Sequence, residues 1–169
     1  MKYIVTFAGP IGSSKTPIAY YLSQKFSLPI YNNDAIRNEV IGDFLELDTE
    51  EFLKRRQERL AYLFRAGKSF ILDASIDREW ENYWKQLEKS DYKIFIISLD
   101  LSKNFINRIY HAKNYPGTPV ETDKNFNDHQ NFLEKYSSLV NFSINDTNFI
   151  NRLTLSEQAL IDWLKNNGS

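Results

Sequence analysis

The amino-acid sequence predicts an α/β fold built around a parallel sheet. Short apolar segments with the composition of buried strands alternate with longer segments of helical periodicity, and a helical segment separates each strand from the next. A loop containing glycine, proline and serine follows the first strand and leads directly into a helix. The 169 residues show no repeat, low-complexity tract or linker, so we expect one domain over residues 1–169.

Five strands are predicted, and most are rich in β-branched or aromatic residues. They cover residues 2–8, 29–32, 69–73, 93–99 and 142–145. The longer apolar runs are continuous rather than alternating, which is typical of parallel strands that are buried on both faces.

Seven helices are predicted between and after these strands. They cover residues 15–26, 34–41, 49–66, 77–89, 102–112, 127–139 and 155–166. The third has the clearest boundaries, because Asp48 provides an N-cap and Gly67 a terminator. Prolines and a glycine interrupt the periodicity over residues 113–127, so we expect a mobile loop or lid between the fourth and fifth strands.

The segment after the first strand matches the phosphate-binding pattern G-x-x-x-x-G-K-[ST] at all but one position. It consists of Gly9, Pro10, Ile11, Gly12, Ser13, Ser14, Lys15 and Thr16. In such a loop the backbone N–H groups and the helix N-terminus point at phosphate oxygens. Lys15 then reaches the β- and γ-phosphates, and Thr16 holds Mg²⁺ through its hydroxyl. The segment therefore predicts that the chain binds a nucleotide.

Ser14 stands where this pattern has glycine. If the backbone there adopts a conformation that favours glycine, the side chain costs on the order of 1 kcal/mol, which folding can absorb. The hydroxyl either crowds the phosphate or donates a further hydrogen bond to it. The first outcome would weaken nucleotide binding and the second would be harmless, and the sequence leaves both open.

Asp34 and Arg37 follow the second strand, where a helix begins. Ligands of open α/β sheets lie beyond the carboxyl ends of the strands, so we expect Asp34 to face the same crevice as the phosphate loop. A carboxylate there can deprotonate an attacking hydroxyl, and a guanidinium one turn later can hold the acceptor or the transferred phosphoryl group. The alternative is that Asp34 caps the helix and Arg37 is solvated.

Asp73 ends the apolar third strand, where a buried carboxylate needs a partner. In phosphate-loop enzymes such an aspartate holds Mg²⁺ opposite the Ser or Thr of the loop, so we expect Asp73 and Thr16 to share the metal. Ser75 and Asp77 follow closely and are candidates for the acceptor pocket. A turn-capping role for Asp73 is the alternative.

Three titratable side chains precede the expected lid, namely Arg108, His111 and Lys113. Cations at a lid can close over the γ-phosphate and offset the charge of the transition state. We expect Arg108 to do so, with Lys113 as the second candidate, although basic residues also stabilise helix C-termini without a catalytic role. His129 is interpreted as a surface or hydrogen-bonded histidine, since two distant histidines without cysteine do not indicate zinc.

Three further features carry less information. Asp146 and Arg152 follow the last strand and are candidates for bracing the adenine, although the residues around Asp146 are also ordinary turn formers. Trp80 and Trp84 are four residues apart, which predicts a packing role. The charged run 46–59 is expected to be a solvated helix face, or to steer an anionic substrate if it borders the acceptor site.

Composition narrows the expected partners and location. The formal net charge of -1 does not favour binding of long nucleic acids. The absence of cysteine excludes disulfides and thiolate metal sites. The sequence has neither a cleavage-like leader nor an apolar run long enough to span a membrane, so we expect a cytoplasmic protein without a membrane partner. The oligomeric state is open.

Taken together, these motifs resemble a small P-loop kinase of the nucleoside/nucleotide kinase-like group. They are GPIGSSKT at 9–16, NNDAIR at 32–37, ILDAS at 71–75, Arg108 before a broken lid, and Asp146 after the fifth strand. The resemblance covers nearly the whole chain. Within this group, the chain resembles the ATP-binding branch that contains polynucleotide kinase domains and zeta-toxin relatives. This resemblance implies a three-layer P-loop NTPase fold with strand order 2-3-1-4-5, helices on both faces, and ATP with Mg²⁺ as cofactors.

The resemblance implies transfer of the γ-phosphoryl group of Mg·ATP to a hydroxyl of a small acceptor, such as a nucleoside, nucleotide or sugar. Asp34 would be the general base, and Arg37 with Arg108 would stabilise the moving phosphoryl group. One alternative is a deoxynucleoside kinase, although Ala74 stands where that group has an arginine. The others are a nucleotide-binding module weakened by Ser14 and a 5′-hydroxyl nucleic-acid kinase. The identity of the acceptor stays open.

Overall fold

The computed structural model describes residues 1–81, 84–114 and 119–168. Five parallel strands form one sheet in the order β2-β3-β1-β4-β5, which confirms the α/β fold and the strand order expected above. The strands are β1 Tyr3–Ala8, β2 Ile30–Asn32, β3 Phe70–Ser75, β4 Lys93–Leu99 and β5 Phe142–Ile144. Strand β3 thus continues beyond Asp73, which lies inside the strand rather than at its end.

The described residues contain six α-helices and three short 3₁₀ segments. The helices are α1 Lys15–Phe26, α2 Asn33–Phe44, α3 Thr49–Ala66, α4 Lys103–Ala112, α5 Pro119–Tyr136 and α6 Arg152–Asn167. The 3₁₀ segments are Trp84–Lys89, Ser137–Leu139 and Phe149–Asn151. No helix in this described part of the chain is long and apolar enough to cross a membrane.

Successive side chains of the central strand β1 enter two different cores. Ile4 and Ala8 belong to one cluster, which includes residues of α2, α3 and α5. Val5 and Phe7 belong to the other, which includes residues of α1, α4 and α6. This alternation follows the period of two along a strand, and it places helices on both faces of the sheet, as expected.

The segment after β3 is not the helix predicted over residues 77–89. It begins with turns and ends in the 3₁₀ segment Trp84–Lys89, while residues 82 and 83 lie outside the described part. Asp77 would have begun the helix, but its carboxylate accepts hydrogen bonds from the phosphate loop and from α5 instead. The carboxylate of Asp77 therefore does not cap a helix here, and the predicted helix 77–89 is wrong.

Helix α5 begins earlier than predicted, at Pro119 rather than near residue 127. Proline suits the first turn of a helix, where its missing N–H costs no hydrogen bond. The predicted lid over 113–127 is therefore divided: residues 113 and 114 form a turn after α4, residues 115–118 lie outside the described part, and the rest is helical. Motion of this segment stays a prediction.

Both tryptophans of the predicted packing pair are buried, which confirms their core role. Trp80 contacts Phe132 and Tyr136, with ring centroids 6.0 Å away in each case. These contacts join the segment after β3 to helix α5. Aromatic pairs of this kind add to the free energy gained from burial alone.

Replacing Trp80 by alanine should therefore lower the free energy of unfolding by roughly 3–5 kcal/mol, because a large cavity opens between β3 and α5. Tyr62→Ala is the matched control, since Tyr62 is an aromatic residue with 65% of its surface exposed, and its effect should stay within about 0.5 kcal/mol. Urea unfolding of both variants measures the difference. Equal losses would contradict the assignment of Trp80 to the core.

Candidate active site

The predicted phosphate loop lies between β1 and α1 and requires glycine at residue 12. Gly12 has φ of 74°, a conformation that side chains rarely adopt. A Cβ on Gly12 would lie 2.7 Å from Cε1 of Tyr110, which is closer than real contacts allow. Tyr110 also donates a hydrogen bond to the carbonyl of Ile11. Helix α4, which carries Tyr110, therefore presses directly against the loop.

Ser14 adopts the left-handed conformation that the glycine of the pattern would take, with φ 75° and ψ 35°. This conformation costs a non-glycine residue about 1–2 kcal/mol. The residue is buried, and its hydroxyl accepts a hydrogen bond of 2.9 Å from the ammonium of Lys113. The side chain thus has a specific partner inside the cavity.

The ammonium of Lys15 lies within the loop. It donates hydrogen bonds to the carbonyls of Gly9 at 2.9 Å and Pro10 at 2.6 Å, and to the hydroxyl of Ser13 at 3.2 Å. Burial lowers the pKa of Lys15 to about 8, although the carboxylates of Asp77 and Asp73 oppose the shift. A phosphate in the loop would favour the charged form again and raise this pKa.

Thr16 and Asp73 lie together on one wall of the cavity, as the sequence suggested. The hydroxyl of Thr16 donates to a carboxylate oxygen of Asp73 at 3.3 Å, and the amide of Asn32 donates to the other at 2.6 Å. Burial raises the pKa of Asp73, while the hydrogen bond from Thr16 and the charge of Lys15 oppose the shift. A hydroxyl and a carboxylate beside a phosphate site are ligands that suit Mg²⁺.

Asp34 does not cap helix α2. The side chain of Asn32 takes that role, because its oxygen accepts a hydrogen bond of 2.8 Å from the N–H of Ala35. Asp34 and Arg37 are exposed on the first two turns of α2, where both line the cavity of the phosphate loop. The guanidinium of Arg37 also stacks 5.3 Å above the ring of Phe52.

Two adjoining cavities meet at this point. The first, of about 520 Å³, contains the phosphate loop from Ile11 to Thr16, together with Asp73 and Lys113. The second, of about 700 Å³, extends towards α3 and α5. Both are lined by Ile11, Asn33, Asp34, Arg37, Ser75 and Arg78. A ligand in the loop and a second ligand beside it would therefore have Asp34 and two arginines between them.

Arg78 was not singled out by the sequence, although it lies at the junction of the two cavities. It follows Asp77 in a segment predicted to be helical, where one more basic residue carries no signal. Ser75, a predicted pocket residue, lines both cavities and donates to the Gly9 carbonyl at 2.5 Å. The structure thus adds a third basic side chain to the face where Lys15 and Arg37 were expected.

A row of three buried, hydrogen-bonded side chains supports the phosphate loop on the side away from the cavity. Asp77 accepts from the Gly9 N–H at 2.9 Å and lies 3.1 Å from Nδ1 of His129, whose Nε2 is 3.5 Å from the hydroxyl of Ser98. Burial disfavours the charged form of Asp77, but His129 and Lys15 outweigh it, so the pKa of Asp77 lies below its usual value. His129 and Ser98 are fully buried, so this row of side chains resembles a hydrolase triad only in residue type.

The basic residues near α4 do not behave alike. Lys113 lines the first cavity, whereas Arg108 is exposed, with its guanidinium 4.7 Å above the ring of Phe105. Arg108 is not among the described residues that line either cavity. Its expected contact with a moving phosphoryl group stays a prediction, and Lys113 is the cation of this region that the structure brings to the loop.

Asp146 and Arg152 also lie outside the described lining of both cavities. The carboxylate of Asp146 accepts from the backbone N–H of Ser102 at 2.9 Å and from its hydroxyl at 2.5 Å. Arg152 stacks 4.3 Å above Phe149, and burial lowers its pKa. Contact of either residue with an adenine stays a prediction.

Arg55 and Arg59 of the charged run 46–59 pair with carboxylates of helix α2, and most of the other charged residues of the run are exposed. Arg55 binds Glu51, Glu39 and Asp43, the last two on α2. Arg56 differs, because it is buried, pairs with Glu79 at 2.8 Å and lines the second cavity. The expectation of a solvated face is therefore wrong for Arg56.

Comparison by sequence finds no family model and no curated protein that matches this chain. Comparison by structure does find similar proteins. A gluconokinase from Sinorhizobium meliloti 1021 has a TM-score of 0.69 at 14% identity, covering 98% of this chain and 94% of its own. Shikimate kinase from Acinetobacter baumannii in complex with shikimate has a TM-score of 0.61 at 16% identity, covering 99% and 96%.

The fold is that of the P-loop kinases. The Deinococcus radiodurans tunicamycin resistance protein shares it as well, with a TM-score of 0.64 at 16% identity over 96% of this chain and 95% of that one. The alignments span nearly the full length of each partner. The similarity therefore covers the helices and strands that line the two cavities.

Replacing Gly12 by alanine should lower the free energy of unfolding by roughly 2–4 kcal/mol. The new Cβ would collide with the ring of Tyr110, and alanine would have to adopt the left-handed backbone conformation of residue 12. Gly42→Ala is the matched control, since no atom lies within 4 Å of its added Cβ in helix α2. That control should be neutral or stabilising by roughly 0.5–1 kcal/mol. Denaturant unfolding compares them, and equal values would contradict the close contact between α4 and the loop.

Replacing Asp77 by asparagine should lower the free energy of unfolding at pH 7 by roughly 1–3 kcal/mol, because the charged acceptor behind the loop is lost. The lowered pKa of Asp77 means that its contribution is complete above the unfolded-state value of about 3.9 and disappears as the pH falls further. The difference between wild type and variant should therefore narrow towards pH 3 in urea unfolding. Asp91→Asn, at an exposed carboxylate, is the control. Equal stability of Asp77→Asn and wild type at pH 7 would contradict this role.

Proposed function

We propose that this protein is an ATP-dependent phosphotransferase that moves the γ-phosphoryl group of Mg·ATP to a hydroxyl of a small acceptor. The observation that carries the proposal is the adjoining pair of cavities, with Asp34 and two arginines at their junction. A nucleotide in the phosphate loop would place its terminal phosphate towards the second cavity. An acceptor in that cavity would then meet both the phosphate and a carboxylate.

The donor side is formed by the loop. Its backbone amides and Lys15 would bind the β- and γ-phosphates, as helix N-termini and phosphate loops do. Thr16 and Asp73 would hold Mg²⁺, which supplies positive charge next to the phosphate oxygens when bound. The pairing of these two side chains at 3.3 Å supports their joint role.

The acceptor side is formed by α2 and the segment after β3. Asp34 would accept the proton of the attacking hydroxyl as its oxygen bonds to the γ-phosphorus and the bond from that phosphorus to ADP breaks. Arg37 and Arg78 would bind the oxygens of the transferred group, whose charge they offset. The products are ADP and the phosphorylated acceptor.

The similar structures support a small acceptor. Gluconokinase and shikimate kinase are both kinases of small molecules by name. The finer resemblance, to the branch with polynucleotide kinase and zeta-toxin relatives, is supported by the sequence motifs given above, of which the pair Asp34 and Arg37 matches the polynucleotide kinase domains. Measuring ADP release with a panel of nucleosides, nucleotides, sugars and related compounds would show which of them is the acceptor.

A second candidate is a nucleotide-binding module that transfers slowly or not at all. The observation that favours it is the side chain of Ser14, which is buried within the loop where glycine is usual. Such a module would bind Mg·ATP and release no ADP with any acceptor.

Replacing Asp34 by asparagine should lower kcat about 10²–10⁴-fold with the best acceptor, because the proton acceptor is lost. The Kd for Mg·ATP should stay within about 3-fold of wild type, since Asp34 is not expected to touch the nucleotide phosphates. A coupled assay of ADP release gives kcat, and calorimetry gives Kd. Asp43→Asn is the matched control on the same helix and outside both cavities; it should retain wild-type kcat. Full activity of Asp34→Asn would contradict the assigned role.

A further inference from the structure

Lys113 forms a bridge across the phosphate loop. It follows α4, far from the loop in sequence, yet its ammonium lies 3.0 Å from the carbonyl oxygen of Gly12 and 2.9 Å from the hydroxyl of Ser14. An ammonium has three N–H donors. Among the described residues these two oxygens use two of the three donors, which leaves one for a ligand in the cavity that Lys113 lines.

This bridge depends on the unusual residue of the loop. Only a side chain at residue 14 can offer the hydroxyl, and the glycine of the usual pattern has none. Ser14 nevertheless keeps the left-handed backbone of that glycine, with φ 75°. A strained conformation at a binding site is maintained by its surroundings, and here the surroundings include a specific cation.

The charge of the first cavity indicates what the remaining donor would bind. Its described lining includes four cations, Lys15, Arg37, Arg78 and Lys113, but only two carboxylates, Asp34 and Asp73. Burial lowers the pKa of Lys113, and the nearby positive charge of Arg152 lowers it further. An excess of cations, two of which (Lys15 and Lys113) are partly desolvated, is relieved by a polyanion, and the phosphate chain of a nucleotide is such a ligand.

We propose that Ser14 and Lys113 act as one phosphate-binding unit, in which the serine hydroxyl positions the lysine ammonium to bind the phosphate chain of a nucleoside triphosphate. The unit rests on the proposed function and assigns Ser14 as a positioning residue. Where the usual pattern has glycine, this chain thus has a hydroxyl that holds a second cation in the cavity beside Lys15.

The opposite interpretation makes a different prediction for one variant. If Ser14 is only a defect, Ser14→Gly relieves the strain and clears the loop, so both stability and affinity for Mg·ATP rise. If Ser14 positions Lys113, the same variant gains stability but loses affinity. The two properties then change in opposite directions.

Calorimetric titration of Mg·ATP into the full chain tests this unit. Ser14→Ala and Lys113→Met should each raise the Kd about 10-fold, as expected for loss of a hydrogen bond to a charged group. The double variant should also be weaker by about 10-fold rather than about 100-fold, because the two side chains act together. Ser14→Gly should raise the Kd similarly while raising Tm by about 2–4 °C.

Lys103→Met is the matched control, because it removes the same charge from α4 at a residue that pairs with Asp123 outside the first cavity. Its Kd should equal that of wild type, and Tm values show that every variant is folded. The unit is overturned if Ser14→Gly binds Mg·ATP as tightly as wild type or more tightly, or if Lys113→Met binds it unchanged. The proposed function still stands in that case, provided that wild type binds Mg·ATP and Lys15→Ala does not. Failure of wild type to bind Mg·ATP, or equal binding by Lys15→Ala, overturns both.

Discussion

The backbone of Gly9 is where buried tertiary contacts hold the start of the phosphate loop. Its N–H donates to the buried carboxylate of Asp77, and its carbonyl accepts from the ammonium of Lys15 and the hydroxyl of Ser75. These contacts join the end of β1 to the end of β3 and to the start of α1. Through His129 the attachment extends to α5. The start of the loop is therefore held by side chains from β3, the segment after it, α1 and α5.

This attachment also separates charges of opposite sign. Asp77 lies behind the loop, in a fully enclosed position beside His129, whereas the cations of Lys15 and Lys113 lie on the side of the cavity. A negative charge behind the loop stabilises Lys15 without competing for a ligand in front of it. Placed in the cavity, the same group would be a third carboxylate beside Asp34 and Asp73 and would add to the repulsion of phosphate. The sequence separation of these groups hides this arrangement, because only the fold brings them together.

Much of the donor side could be predicted from the sequence, because the phosphate loop is a local pattern whose function follows from consecutive residues. The strand order was confirmed as well, although the resemblance rather than the periodicity implied it. The loop needs glycine at residue 12 because of Tyr110, which lies in a distant helix and could not be foreseen. The helix predicted at 77–89 failed for a similar reason, since the carboxylate of Asp77 has tertiary partners in Gly9 and His129 that are distant in the sequence.

One amide side chain links the two halves of the site mechanically. Asn32 holds the first turn of α2 with its oxygen and the carboxylate of Asp73 with its nitrogen. The helix that presents Asp34 is thus fastened to the strand that presents Asp73 through a single rigid group. Any displacement of α2 on contact with an acceptor would be felt at the carboxylate beside Thr16. The position of Asp34 and the orientation of Asp73 therefore depend on the same amide group.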